Sequence, residues 1–329
     1  MNKEPSAMII GTGSAAPKKV LTNHDLEKMV DTSDEWIRGR TGIERRHILE
    51  EGKTNSDLAS KAALNAIEDA GLSPEDIDCI LLATVTPDSF FPSTACQVQA
   101  KIGAVNAAAF DMAAACSGFL YALTTAESYI ISGQFENVLV IGSEVLSRFV
   151  DWEDRTTCVL FGDGAGAVVV SHSKEKRGIL SSFIKSDGRL GDLLQVPGGG
   201  STIPASIESV TNRMHTIKMK GREVFKHAVR TMVDAAKQGL KKAGKKDEDL
   251  SLLIAHQANV RIIDAVAQRL HLTKDKVFVN LQEYGNTSSA TIPLAIDQAR
   301  KEGRLKKNDL CLLVAFGGGF TWGASLVRF

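Results

Sequence analysis

From Ser56 onward, apolar residues recur at helical spacing. Leu58, Ala59, Ala62, Ala63, Ala66, Ile67 and Ala70 share one face, and Gly71 stops the helix. An apolar run over 80–85 follows and predicts a buried strand. The same succession returns later in the chain. Ala70–Asp78 is echoed by Ala243–Ser251, each after an amphipathic helix and before an apolar strand, at a constant offset of 173 residues (244 − 71; 248 − 75). Beyond the first strand the pattern predicts a helix over 94–102, a strand over 107–110, Cys116, and a helix closing near Gly133. Beyond the second it predicts a helix over 260–270, a strand over 277–279, Asn286, and a helix closing near Gly303. On this alignment Cys116 matches Asn286 and Gly133 matches Gly303, both 170 residues apart (286 − 116; 303 − 133). Strands over 138–141 and 310–315, then glycine-rich turns and strands over 161–170 and 316–329, close the two halves.

Strands alternating with helices predict an α/β protein with mostly parallel or mixed sheets covered by helices. The repeat divides the chain into halves, 1–177 and 178–329, facing each other across a pseudo-two-fold axis. Ligands of such sheets lie at the C-terminal ends of strands. The turns carrying Cys116, His256 and Asn286 are therefore expected to meet in one pocket.

Composition narrows the function. The 329 residues are 43% hydrophobic and 24% charged, as in an ordinary globular protein, which argues against large disordered regions. Thirty-nine basic and 39 acidic residues cancel, which disfavours bulk attraction to nucleic acid or membrane. No apolar run reaches the roughly 20 residues that span a bilayer, and Met1–Pro5 lacks the features of a signal peptide. Five dispersed cysteines without Cys-x-x-Cys spacing fit a reducing compartment, so a cytoplasmic protein without a structural zinc site is expected. Met8–Ala15 imitates the start of a dinucleotide-binding fold, but Pro17 and two lysines stand where its helix would begin.

Cys116 leaves a strand-like run, crosses small residues and stands before an apolar helix. Free amides and the helix dipole at that place favour a thiolate, whereas free cysteines are also among the most buried residues. His256 ends the run Leu252–Ala255, where a polar residue is well placed for chemistry, although a lone histidine is commonly structural. Asn286, in Tyr284–Ser289, suits a turn or cap as well as a donor's role. The bare amides of Gly317–Gly319 could form a tight turn or an oxyanion hole, and Gly162–Gly166 reads as a structural turn. Asp31, Thr32 or Ser33 caps a short helix carrying Trp36, which Gly39 is expected to break before Arg40.

Ala114–Gly118, His256–Asn259, Gly285–Ser288 and Phe316–Gly323, together with Asp34–Ile37 and Phe161–Gly166, resemble the β-ketoacyl-acyl carrier protein synthase III family of condensing enzymes, within the thiolase superfamily. The resemblance covers essentially the whole chain. It implies a five-layered αβαβα thiolase-like fold of two duplicated halves, a homodimer, and initiation of type II fatty acid synthesis from acyl-CoA and malonyl-acyl carrier protein. No cofactor or metal is implied, since acyl-CoA is a substrate. Cys116 would carry the primer acyl group, His256 and Asn286 would hold the malonyl-derived enolate, and the amides of Cys116 and Gly318 would form the oxyanion hole. Trp36 and Arg155 would sandwich the CoA adenine, Arg40 would approach a phosphate, and Asn259 the pantetheine arm. Phe91 would reach the neighbouring subunit's acyl pocket. Arg222, Lys226 and Arg230, spaced along one helix face and extended by Arg261, would meet an acidic carrier protein, a solvated face being the alternative. The stretch 198–214 departs from the family by its length and Gly/Ser content. Three other readings compete: a related acyltransferase using free acyl-CoA, a Cys-His-Asn hydrolase, and a binding protein without chemistry.

Overall fold

The computed structural model of the chain describes residues 7–173, 175 and 177–329; Met1–Pro5, the segment tested for a signal peptide, lies outside them. Strands β1 (Ala7–Ala15), β2 (Cys79–Ala83), β3 (Ala108–Met112), β4 (Asn137–Val145) and β5 (Asp163–His172) form one sheet, in the order β1-β5-β4-β2-β3. Strands β6 (Gly178–Ser186), β7 (Leu252–Ala255), β8 (Leu310–Gly317) and β9 (Thr321–Arg328) form a second, in the order β6-β9-β8-β7. In each sheet the β2- or β7-type strand runs parallel to its neighbours and the remaining pairs are antiparallel. The sheets are thus two copies of one mixed pattern. Cys79 pairs with Val138 and Leu252 with Cys311, so the repeat holds at 173 residues in register (252 − 79; 311 − 138). The strand expected over 277–279 survives only as a single bridge between Leu253 and Val277.

Seven helices position the site: α1 (Asp34–Thr41), α2 (Asn55–Asp69), α3 (Thr94–Ile102), α4 (Gly118–Ser132), α5 (Gly221–Lys242), α6 (Val260–Arg269) and α7 (Thr291–Lys301). Helices α2 and α3 cover the outer face of the first sheet, and α5 and α6 that of the second. Helices α4 and α7 lie between the sheets, where Phe119, Leu123, Ile292 and Ile296 meet Leu81, Val140, Ile254 and Leu313. That stacking makes the five layers α, β, α, β, α. Helices apolar enough to be buried on both sides form its middle.

Two local expectations find their reasons or limits here. Gly11 and Gly13 lie within β1 rather than in a phosphate-binding turn: a Cβ there would stand 2.3 Å from the Ala66 carbonyl oxygen and 2.4 Å from that of Ala62. They let α2 press onto the strand. Ser33 does cap α1, accepting the Trp36 N–H, but the helix runs through Gly39 to Thr41 and ends at Gly42, whose φ of 82° is left-handed. Among the described residues, no helix is long and apolar enough to cross a membrane.

Candidate active site

Each half ends a strand-and-loop with one 3₁₀ turn and then enters its central helix. The turns are Ala115–Ser117 before α4 and Ser288–Ala290 before α7. Ala115 and Ser288 open them with φ of 45° and 49°. This register pairs Cys116 with Ser289, not with Asn286, and corrects the equivalence drawn from the sequence. The 170-residue offset arises at the far ends of the helices, because α7 has 11 residues where α4 has 15. Asn286 instead stands just upstream of its turn. The two halves therefore contribute different residues to the site.

Cys116 is 8% exposed and lies at the junction of two cavities. A cavity of about 110 Å³ is lined by Cys116, His256, Asn286, Asn259 and Phe316, with α5 supplying Val224 and Phe225. A second, of about 350 Å³, shares Cys116, Phe161 and Leu194 with the first and is lined further by Ala113–Ala115, Phe149, Ile217 and Gly318. Gly317 makes the approach of the second sheet possible, since a Cβ there would stand 2.6 Å from the Cys116 nitrogen. The expected convergence of the Cys116, His256 and Asn286 turns is present.

Electrostatics differ from the sequence expectation at the thiol. Burial pushes Cys116 up to about 12, the neighbouring Ser288 hydroxyl lowers it, and the Glu144 charge raises it. Desolvation is the largest influence and favours the neutral thiol, against the pull of the helix terminus. Burial drives His256 the other way, down to about 3, so its imidazole is neutral. His256 Nδ1 lies 2.7 Å from Thr291 Oγ1, which leaves Nε2 for the cavity. The Asn286 Oδ1 accepts the Ser288 N–H at 2.9 Å, leaving the amide NH₂ as donor. Its backbone is anchored too: Asn286 N donates to Leu160 O at 2.8 Å, and Gly162 N to Asn286 O at 3.1 Å. The Gly162 turn thus has the structural role read for it.

The predicted coenzyme residues form a second cluster. The guanidinium groups of Arg155 and Arg40 lie 5.2 and 5.9 Å from the Trp36 ring centroid. Arg155 also donates to the Asp31 carbonyl oxygen at 2.6 Å. Asn259 links this cluster to the cavity: its Nδ2 donates to Arg40 O at 3.1 Å, and its Oδ1 caps α6 by accepting the Arg261 N–H at 2.9 Å. Arg222, Lys226 and Arg230 are exposed on α5, the helix whose inner side walls the cavity, and Arg261 is exposed on neighbouring α6. Phe91 is 87% exposed beside the 83%-exposed Phe90 and does not line this chain's own cavity at Cys116. The 198–214 stretch is closed by its own bonds, Gly198 N to Met214 O at 2.7 Å and Gly199 N to Ile203 O at 2.9 Å.

Glu144 and Thr291 escaped the sequence reading, and Ser288 and Ser289 entered it only as parts of the Asn286 turn. A glutamate near the end of the otherwise apolar run of β4 was the available signal, because a charge in a buried strand needs partners.

Comparison with known proteins agrees with the fold and motifs. The family model for 3-oxoacyl-[acyl-carrier-protein] synthase III matches residues 110–188, and the model for its C-terminal part matches residues 240–329. A β-ketoacyl-[acyl-carrier-protein] synthase III from Caldanaerobacter subterraneus is 54% identical over 328 residues, covering 100% of this chain and 99% of the relative. One from Aquifex aeolicus is 56% identical over 321 residues, covering 98% and 99%. The crystal structure of the Aquifex aeolicus synthase superposes with a TM-score of 0.91 at 55% identity, covering 98% of this chain and 100% of that one. That from Pseudomonas aeruginosa gives 0.91 at 40% identity, covering 98% of both. With the duplicated five-layer fold and the two cavities meeting at a cysteine, these matches establish that the chain belongs to the β-ketoacyl-[acyl-carrier-protein] synthase III family, acyltransferases of the thiolase fold that act in fatty acid synthesis.

Proposed function

We propose that the chain initiates type II fatty acid synthesis by decarboxylative Claisen condensation of a primer acyl-CoA with malonyl-acyl carrier protein, through an acyl thioester on Cys116. The observation that carries this reading is the shared cavity of Cys116, His256 and Asn286, with a second, larger cavity that also reaches Cys116. Cys116 attacks the primer thioester and CoA leaves. The acyl chain then occupies the larger cavity, and its carbonyl oxygen turns to the amides of Cys116 and Gly318. Malonyl-acyl carrier protein enters past His256 and Asn286. Loss of CO₂ leaves an enolate, whose oxygen accepts hydrogen bonds from both residues, and its carbon attacks the Cys116 thioester to give the 3-oxoacyl product.

Neutral groups suit the enolate step, because neither needs a proton change to donate. The hydrolase reading is less well supported. In that arrangement Asn orients His, whereas here Thr291 engages His256 Nδ1 and the Ser288 amide engages Asn286 Oδ1. Trp36, Arg40, Arg155 and Asn259 are proposed to bind CoA, the adenine displacing Arg155 from the Trp36 face. The outer stripe of α5 with Arg261 is proposed to receive the carrier protein. Phe91 and its exposed neighbours are proposed to meet a second copy of the chain in a homodimer, and the halves 1–177 and 178–329 to act as one body in a cytoplasmic enzyme.

The test is intact-protein mass spectrometry after incubation with a panel of acyl-CoA primers. One acyl mass should add to the wild type and none to Cys116→Ala. Failure of every primer to acylate the wild type would overturn the reading.

A further inference from the structure

Arg46 has no part in the steps above, yet it backs the segment that carries them. It is completely buried, and among the described residues no carboxylate pairs with it. Burial lowers its guanidinium to about 10, which leaves it charged at neutral pH. A buried charge without a counter-ion persists only where hydrogen bonds compensate it. Arg46 faces Leu21 across the antiparallel strands Lys19–Thr22 and Arg45–Ile48. Its Nη1 donates to Leu21 O at 3.2 Å and to Asn23 Oδ1 at 2.9 Å. Asn23 Nδ2 donates onward, at 2.9 Å, to Oδ1 of Asp34, the first residue of α1. The Arg46 Nη2 reaches the other way and donates to Val159 O at 2.9 Å. The fork therefore spans from the strand pair to the chain that leads into Phe161.

That chain is the one to which Asn286 is tied. Phe161 and Asn286 form an isolated parallel bridge, in which the Asn286 N–H donates to Leu160 O and the Gly162 N–H to Asn286 O. The bridge lies outside the named strands, so no sheet fixes its place. Arg46 holds one side of it at Val159. The adjacent Glu44 N–H holds the other, donating to Gln282 O at 3.0 Å. The Arg46 stem packs beneath both: a Cβ at Gly162 would stand 2.8 Å from the Arg46 Cβ, and one at Gly285 3.3 Å. Leu160, Phe161 and Asn286 line the cavity that holds Cys116 and His256.

We propose that Arg46 is a positioning residue for decarboxylation, holding the Phe161–Asn286 bridge against the strand pair so that the Asn286 amide meets the enolate oxygen. This rests on the enolate role proposed above for Asn286. His256 is fixed separately, by Thr291, so the effect of Arg46 falls on one of the two donors. Cys116 lies on neither chain of the bridge, and its acylation does not depend on where Asn286 stands.

Half-reaction kinetics of the variants test this. Arg46→Met should acylate Cys116 at the wild-type rate with saturating acyl-CoA. It should release CO₂ from malonyl-acyl carrier protein about 10²-fold more slowly, the cost of misplacing a group by about 1 Å. The loss should fall on kcat rather than KM. Arg46→Lys keeps the charge but not the fork, and should recover about tenfold of that loss. In an Asn286→Ala background neither change should slow decarboxylation further, because the group that Arg46 places is absent. Equal losses in both half-reactions, wild-type decarboxylation by Arg46→Met, or losses that multiply with that of Asn286→Ala would overturn the proposal. Should Arg46→Met not fold, Arg46→Lys decides by the same comparisons, with a loss of about tenfold expected; failure of both to fold would assign Arg46 to the fold alone and overturn it too. A wild type that acylates but releases no CO₂ would instead refute the enolate reading beneath it.

Discussion

Ala115 and Ser288 hold the same left-handed backbone, at φ 45° and 49°, one residue before Cys116 and Ser289. The conformation turns the chain sharply enough to set Cys116 against Gly317 and Ser289 against Gly142. Alanine tolerates that region at a modest cost and a β-branched residue does not. Ala115→Val is expected to destabilise the fold by about 1–3 kcal/mol and to slow acylation, whereas Ala115→Gly should leave urea-unfolding stability equal or higher. A Val variant as stable as wild type would show that the turn is not strained.

The partition of roles among the three central residues predicts separable half-reactions. Cys116→Ala should abolish condensation while retaining some malonyl decarboxylation. His256→Ala and Asn286→Ala should still acylate at Cys116 but lose decarboxylation, by about 10²–10³-fold for the loss of one such donor. Acylation is followed by intact mass and decarboxylation by CO₂ release. Blocked acylation in His256→Ala, with decarboxylation intact in Asn286→Ala, would reverse the assignment.

Burial of neutral His256 has a signed consequence for stability. Its folded value is depressed to about 3 from an ordinary 6.5, so below pH 6.5 the unfolded chain binds the extra proton. The contribution is fully present above pH 6.5 and is lost as pH falls toward 3, at about 1.4 kcal/mol per pH unit for one proton. Wild type should therefore lose stability between pH 6.5 and 5 faster than His256→Gln, in urea unfolding at matched salt. Parallel pH dependences would show that the imidazole is solvated.

Two glycines outside the site should respond oppositely to alanine. Gly13→Ala drives a methyl to 2.4 Å from both the Ala62 oxygen and the Ala66 nitrogen, and forces α2 off β1. A methyl added at Gly39 would meet nothing within 4 Å, and the residue lies inside α1, so Gly39→Ala should stabilise by about 0.5–1 kcal/mol. Thermal unfolding of the pair checks both signs.

The exposed stripe on α5 makes the carrier-protein proposal quantitative. Lys226→Glu should weaken binding of an acidic carrier protein, with the difference shrinking as salt rises. Titration calorimetry at low and high salt reads it. Unchanged affinity at low salt would remove α5 from the docking surface.

The sequence by itself determined the layers and the chemistry's ingredients. Periodicity marked α2, the buried strands and the central helices, because a helix or strand buried on one or both faces must carry its apolar residues at the matching spacing. The 173-residue repeat exposed the duplication, and motif spacing placed Cys116, His256 and Asn286 at strand ends. Tertiary structure decided what depends on contact across the two halves. It replaced Asn286 by Ser289 as the twin of Cys116, since the register of the turns is set by strand pairing and not by helix length. It buried the Cys116 sulfur, where desolvation favours the neutral thiol, since desolvation depends on everything packed around it. And it joined Glu144 to Ser288, residues 144 positions apart that no local pattern connects, because only the folded pseudo-two-fold brings a buried carboxylate of one half to the hydroxyls of the other.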